Sequence, residues 1–321
     1  MSAAPAPHPP RVAVVTDSTS ALPPALAAAA GLTVVPLDVT IDGARHVEGV
    51  DVTPAQLLRA LERGARVTTS QPPPSAFAAA YERAAAAGAR EIVSVHLSGE
   101  MSGTVRSART AATVSPVPVR VVDSGTVALG LGFAALAAAR CAGTPVPDAA
   151  PEDPRARRRR SVGGGRGGRR RGPAPVWTDV TRVAEVAAAT AAGTRTWFLV
   201  ESLEHLRRGG RLSAPAAALG TVLGLRPLLA VQDGRVVVAD KVRTRRAARE
   251  RIEQVAAADV AGRGAVRIGV HHAGDVDAAH DLAARLADGA HDAVEVVVAD
   301  AGAVLGAHAG PGLLAVVVAD A

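Results

Sequence analysis

Four short segments concentrate hydroxyl side chains: Thr16–Ser20, Thr68-Thr69-Ser70-Gln71-Pro72, the run Ser98 to Thr104, and Asp123-Ser124-Gly125. Three of them follow an apolar, β-branched run, and each precedes a helical pattern. A loop of this kind offers free backbone N–H groups and the positive end of a helix dipole. With Ser and Thr hydroxyls added, it makes a neutral, donor-rich cup suited to a carboxylate or a phosphate. Any one of the four reads as well as an ordinary helix N-cap. Four of them in the first half of the chain exceed what capping requires.

Other chemistries lack their residues. The sequence has no GxxxxGK[ST] phosphate loop and no GxGxxG after the first apolar run. It has no HExxH helix, so no metal and no other cofactor is expected. His271 and His272 are adjacent and point to opposite faces of a strand, which makes them poor joint ligands. His308 lies among small residues in Gly306–Gly312, either as a functional group or as a packed loop histidine. Gly99-Glu100-Met101-Ser102-Gly103 resembles a nucleophile elbow, but Ser102 stands one residue too far along. No catalytic residue is assigned.

The elements that must position these loops alternate strand and helix. Strands are expected at Arg11–Val15, Leu32–Ile41, Glu91–Leu97 and Val117–Val122, with helices at Pro23–Ala30, Pro54–Arg63, Ser75–Ala87, Ser102–Val114 and Gly125–Ala142. This predicts an α/β N-terminal domain, a doubly wound, mostly parallel sheet, over 11–146. The later chain combines a hairpin around Asp233-Gly234, flanked by Arg226–Val231 and Arg235–Val242, with strands at Thr196–Val200, Ala265–His271, Val294–Ala299 and Leu313–Val318. Helices are expected at Glu201–Arg208, Ala214–Leu223 and Thr244–Ala258, and the strands Ala265–His271 and Val294–Ala299 each open a strand-helix unit. This is a C-terminal α+β domain with a mixed sheet over 176–321.

Between the two, 147–175 is an Arg/Gly/Pro string with almost no apolar residue, and it is expected to be disordered. The chain of 321 residues has a formal charge of +6 and a pI near 10.8. From Pro151 to Pro175 there are nine Arg and two acids, a charge of +7, so the remainder carries −1. The basic character therefore belongs to the insert, and no nucleic acid is expected as a partner unless through 151–175. Of 321 residues 72 are Ala, and all but one of the 36 basic residues are Arg, as GC-rich coding DNA produces. The segment reads as a genuine surface insert, a local shift of reading frame, or a basic arm for nucleic acid or anionic lipid. The single Cys141 excludes an intramolecular disulfide, and six aromatic residues are few for a base-stacking platform. Met1–Pro10 lacks the pattern of a signal peptide. The uncharged stretches Ser18–Leu37 and Ala301–Val318 are broken by Pro, Gly and His. The protein is expected to be cytoplasmic and not an integral membrane protein.

The ordered set Val14-Val15-Thr16-Asp17-Ser18-Thr19-Ser20, Val35-Pro36-Leu37, Thr69-Ser70-Gln71-Pro72, Leu97-Ser98, Met101-Ser102-Gly103-Thr104 and Val122-Asp123-Ser124 resembles the DegV family of bacterial fatty-acid-binding proteins. So do Arg208-Gly209-Gly210-Arg211-Leu212, Arg226-Pro227-Leu228 and Lys241-Val242-Arg243-Thr244. The resemblance runs from about Arg11 to the C-terminus and breaks over the insert. It implies one long-chain fatty acid held between two domains. It further implies Thr69 and Ser102 as carboxylate ligands, Thr68, Ser70 and Gly103 as their neighbours, and Arg211 and His308 close behind. In some members of the family the bound acid is presented to a fatty-acid kinase that forms an acyl-phosphate, which makes the carrier itself no enzyme. The alternative is an enzyme acting on a small carboxylate or phosphate ester at the same hydroxyl-rich cup.

Overall fold

The computed structural model describes residues 12–143, 145–146, 176–212, 226–289 and 293–321. Its first sheet has the order β2-β1-β6-β7, all parallel: β1 (Val12–Asp17), β2 (Thr33–Val35), β6 (Glu91–His96) and β7 (Val119–Asp123). Side chains alternate between the two faces of a strand. Val12, Val14, Val93 and Val95 therefore pack under α5 (Leu129–Gly143) and α6 (Val180–Gly193). On the other face, Val15 and Ile92 meet Phe77 and Tyr81 of α3 (Pro74–Ala86) and Ala108 and Ala111 of α4 (Thr104–Ala112). Helices on both faces make the sheet doubly wound, as the sequence pattern indicates.

The expected strand Leu32–Ile41 is two strands. Pro36 has no N–H to give to a ladder, and the chain leaves the parallel sheet there. β3 (Asp38–Ile41) then pairs with β4 (Ala44–Val47) and β5 (Val67–Ser70) in a separate antiparallel sheet. Thr68, Thr69 and Ser70 consequently sit in an edge strand, not in a loop. α2 (Pro54–Glu62) begins with a capping box in which Thr53 and Gln56 bond each other's backbone N–H. α5 starts at Leu129, four residues later than expected, because Gly125 and Ala128 both have φ of 59° and stand outside the helix.

The short strands β8 (Pro145–Val146) and β9 (Val176–Trp177) pair antiparallel, so the chain flanking 147–175 is closed at its base. The segment itself lies outside the described residues, as does the expected helix Ala214–Leu223. The helix α6 has no counterpart in the sequence reading. Although it follows the insert, Val183, Ala184, Ala187 and Ala191 join the core of the first sheet. This packing favours a domain boundary near Thr194 over one at 176.

The second sheet has the order β12-β11-β10-β15-β13-β14 and is mixed, only β13 and β14 being parallel. The strands are β10 (Arg195–Leu199), β11 (Arg226–Gln232), β12 (Arg235–Val242), β13 (Val266–His272), β14 (Ala293–Asp300) and β15 (Leu314–Asp320). Asp233 and Gly234 have φ of 50° and 75°, the pair of left-handed residues that a two-residue hairpin favours. α8 (Arg245–Ala261) and α9 (Val276–Gly289) cover the outer face. The inner face meets the first domain, where Val317 and Ala319 contact Leu129, Phe133 and Leu136 of α5. Lying between two layers, α5 is apolar on all sides from Leu129 to Ala139. Gly269 admits it: a Cβ there would lie 2.6 Å from Leu129 Cδ1. Two short helices complete the inner face, α7 (Glu204–Arg208) and α10 (Gly302–Ala309). No helix among the described residues is long and apolar enough to cross a membrane.

Candidate functional site

The loop from Ser98 to Gly103 is held from several directions. Asp123 accepts the Gly99 N–H with both carboxylate oxygens at 3.1 Å, and Thr126 O accepts the Ser98 N–H at 2.9 Å. Ser98 Oγ donates to Gly234 O at 2.7 Å, and Glu100 forms an ion pair with Arg235. The Asp233-Gly234 hairpin of the second domain thus docks onto this loop of the first. Ser102 Oγ accepts the Thr104 N–H at 3.3 Å and shares a 2.8 Å bond with Thr104 Oγ1, which fixes it at the entry to α4. Gly103 allows the Gln71 amide to cross it, since a Cβ there would meet Gln71 Oε1 at 1.8 Å. Gln71 Nε2 in turn donates to Ser107 Oγ at 3.1 Å.

Facing this loop, Thr69 Oγ1 and His308 Nε2 share a 2.7 Å hydrogen bond across the two domains. His308 lies on α10, where the sequence suggested a loop. Burial pushes its pKa down to about 4, with the charges of Arg211 and His205 adding to the effect, so the ring is neutral at neutral pH. Gly209 lies against the ring: a Cβ there would stand 2.3 Å from His308 Nδ1. Arg211 Nε donates to Met101 O at 3.0 Å and its Nη1 to Gly209 O, so the guanidinium bridges α7 and the Ser98–Gly103 loop.

These groups close one end of a cavity of about 400 Å³ between the two sheets, within the ~300–1,000 Å³ usual for small-molecule sites. Thr69, Ser70, Gln71, Ser102, Gly103, Arg211 and His308 all line it. The remaining wall is mainly apolar, with Leu37, Leu97, Phe198, Val231 and Leu313 among its residues. Thr68 is the exception among the candidates. It is exposed, and it lines a second, polar groove and not the cavity. That groove, about 520 Å³, is also lined by Arg66, His205 and Arg208. Thr69, Arg211 and His308 line both spaces, so one cluster separates an apolar cavity from a basic groove.

Beneath the cluster lies a buried chain of polar groups that the sequence reading missed. His96 Nδ1 donates to Asp17 Oδ2 at 2.9 Å, and its Nε2 shares a 2.6 Å bond with Ser94 Oγ, which accepts from Tyr81 at 2.9 Å. Asp17 also accepts the Thr19 and Leu97 backbone N–H groups, and Thr19 and Leu97 line the cavity. Asp17, His96 and Ser94 have the bonding order of a hydrolase triad, but all three are sealed from solvent. Their role is to fix the ends of β1 and β6. The signal available in sequence was the pair Ser94 and His96, two polar residues at strand spacing inside an otherwise apolar run.

Fold and site together define an α/β protein with a mainly apolar cavity between its two larger sheets and a polar cluster at that cavity's edge. The chain belongs to the DegV family: residues 11–145 and 178–321 match the family described as "Uncharacterised protein, DegV family". It is 42% identical over 309 residues to a DegV domain-containing protein of Streptomyces coelicolor, covering 96% of this chain and 98% of that one. A DegV domain-containing protein of Mycobacterium tuberculosis is 36% identical over 310 residues, 96% of each chain. Among solved structures, a DegV family protein from Thermus thermophilus described for its fatty acid binding superposes with a TM-score of 0.80 at 32% identity, covering 97% of this chain and all of that one. DegV from Bacillus subtilis, described as a fatty acid binding protein, gives 0.79 at 26%, with 97% and 99% covered.

Proposed function

We propose that this protein binds one long-chain fatty acid in the cavity between its domains, with the carboxylate at Thr69 and Ser102. The observation that carries this reading is a mainly apolar cavity ending in a compact polar cluster. Ser70 and Gly103 complete the cup, Arg211 and neutral His308 stand behind it, and Thr68 faces the groove. Hydroxyls and N–H groups orient a carboxylate without clamping it. The tail supplies most of the affinity: on the order of 14 buried methylenes at ~0.8 kcal/mol give ~11 kcal/mol gross, against ~4–15 kcal/mol for association.

The basic groove beyond the cluster supports presentation to a kinase. There a carboxylate oxygen would attack the γ-phosphorus of a nucleotide brought by the partner, forming an acyl-phosphate and releasing the nucleoside diphosphate. Arg66, Arg208 and Arg211 match the charge of such a phosphate. In this reading the chain contributes binding and orientation, the kinase supplies the catalytic groups, and both work in the cytoplasm. The test is organic extraction of protein purified from a bacterial host, with mass spectrometry of the extract. About one long-chain acid per chain is expected; an empty protein with no affinity for added acids would overturn the reading.

A further inference from the structure

Thr196 introduces a polar group into the apolar part of the cavity. It is 4% exposed, lines the cavity, and its Oγ1 has no hydrogen-bond partner among the described residues. The strand register fixes its level. Thr196 stands opposite Val231 of β11, which in turn stands opposite Val236 of β12, and both valines line the same space. Phe198, two residues on and on the same face, is paired with Ala315. Beyond Phe198 come Leu206, Ala309 and Leu313, next to His308 and Arg211. Thr196 is therefore about 7 Å from Phe198 along β10, at the level of Val231 and Val236.

Two other polar residues that line the cavity have spent their hydrogen bonds elsewhere. Thr19 Oγ1 donates to Asp17 at 2.5 Å. His271 accepts the Leu129 N–H at 3.0 Å, and its Nδ1 lies 3.2 Å from Ala299 O. A valine at 196 would fill the same shape with no buried hydroxyl left unpaired, an arrangement that is unfavourable unless something answers it. We infer that Thr196 is a specificity residue whose hydroxyl hydrogen-bonds an oxygen carried along the acyl chain, so that the cavity ranks a hydroxy or oxo fatty acid above the plain saturated acid of equal length. The inference rests on the fatty-acid reading above.

The experiment measures dissociation constants for stearic acid and a positional series of monohydroxy- and oxo-stearic acids. The proteins are the wild type, Thr196→Val and Thr196→Ser. At one chain position the oxygenated acid is expected to bind the wild type and Thr196→Ser about tenfold more tightly than Thr196→Val, one good hydrogen bond's worth. Stearic acid is expected to bind Thr196→Val at least as well as the wild type. Melting curves of the three proteins verify that the valine variant folds. If stearic acid binds and no isomer distinguishes the variants, the inference falls and the carrier reading stands. If no acid binds any of the three, both fall.

Discussion

Replacing Thr69 by Val is the sharpest perturbation of the head-group cluster, because it removes one oxygen and keeps the shape. In the ligand-free protein it breaks the 2.7 Å bond to His308 Nε2 and leaves that nitrogen unpaired in a mostly buried place. An unsatisfied buried polar atom costs ~1–3 kcal/mol, so the melting temperature should fall by a few degrees. A hydrogen bond to a charged carboxylate contributes ~1.5–3 kcal/mol. At about 1.4 kcal/mol per decade, palmitate should bind some 10- to 150-fold more weakly. It still binds, since the tail is untouched. Thr68→Val is the matched control: Thr68 lines the groove and not the cavity, and its palmitate affinity should stay within about twofold. Displacement of a fluorescent fatty acid, with thermal melts alongside, measures both quantities. Unchanged affinity and melting for Thr69→Val, or a larger affinity loss for Thr68→Val, would refute the placement of the carboxylate.

Four further outcomes follow from burial and geometry. His271 and His308 each have a pKa pushed down to about 4, first of all by burial. The unfolded chain protonates them below about 6.5, so their stabilisation is complete above that pH and is lost as pH falls towards 4. That is on the order of 3 kcal/mol apiece, and His271→Gln should flatten the acid limb of stability measured in denaturant. Glu48 acts with the opposite sign. Burial raises its carboxyl pKa while Oε1 caps α10 through the Val304 N–H at 2.8 Å. The carboxyl therefore stabilises the fold most at or below its ordinary value near 4.5, and that contribution fades as pH rises through the raised one. Glu48→Gln should remove this component from the pH profile of the melting temperature. Gly269→Ala would set a Cβ 2.6 Å from Leu129 Cδ1 and 3.0 Å from its Cβ, forcing α5 off the second sheet at ~1–3 kcal/mol by chemical denaturation. Because β8 and β9 pair directly, replacing 148–174 by a short Gly/Ser loop should leave the amount of co-purified lipid unchanged in a solvent extract.

Most of the architecture was legible because local signals and tertiary demands agreed. The parallel sheet followed from β-branched runs alternating with Ala-rich helices, and Asp233-Gly234 fixed a hairpin. Thr53, Thr244 and Gln56 sit where capping chemistry requires. The errors have specific causes. Pro36 divides what reads as one strand, and only the tertiary structure reveals that the second half joins another sheet. α6 escaped notice because it follows an Arg/Gly string that dominates its surroundings. Gly306–Gly312 offers a loop reading around His308, yet packing against Leu57 and Leu37 makes Gly302–Ala309 a helix. The loops were found from their hydroxyls, but the convergence of Thr69, Ser102, Arg211 and His308 needs the fold. Thr68 shows the limit of motif transfer: it shares a motif with Thr69, yet it lines the groove alone while Thr69 lines both spaces. Thr196 carries no sequence signal, since a threonine in a strand is ordinary until its hydroxyl proves unpaired.

The central claim concerns where the carboxylate lies. A crystal structure of the protein with palmitate tests it most directly. The expected result is a single chain of density in the cavity, with carboxylate oxygens within hydrogen-bonding distance of Thr69 Oγ1 and Ser102 Oγ and the tail along the apolar wall that holds Phe198 and Leu313. Palmitate lying with its carboxylate away from Thr69 and Ser102, or bound outside the cavity, would contradict the account.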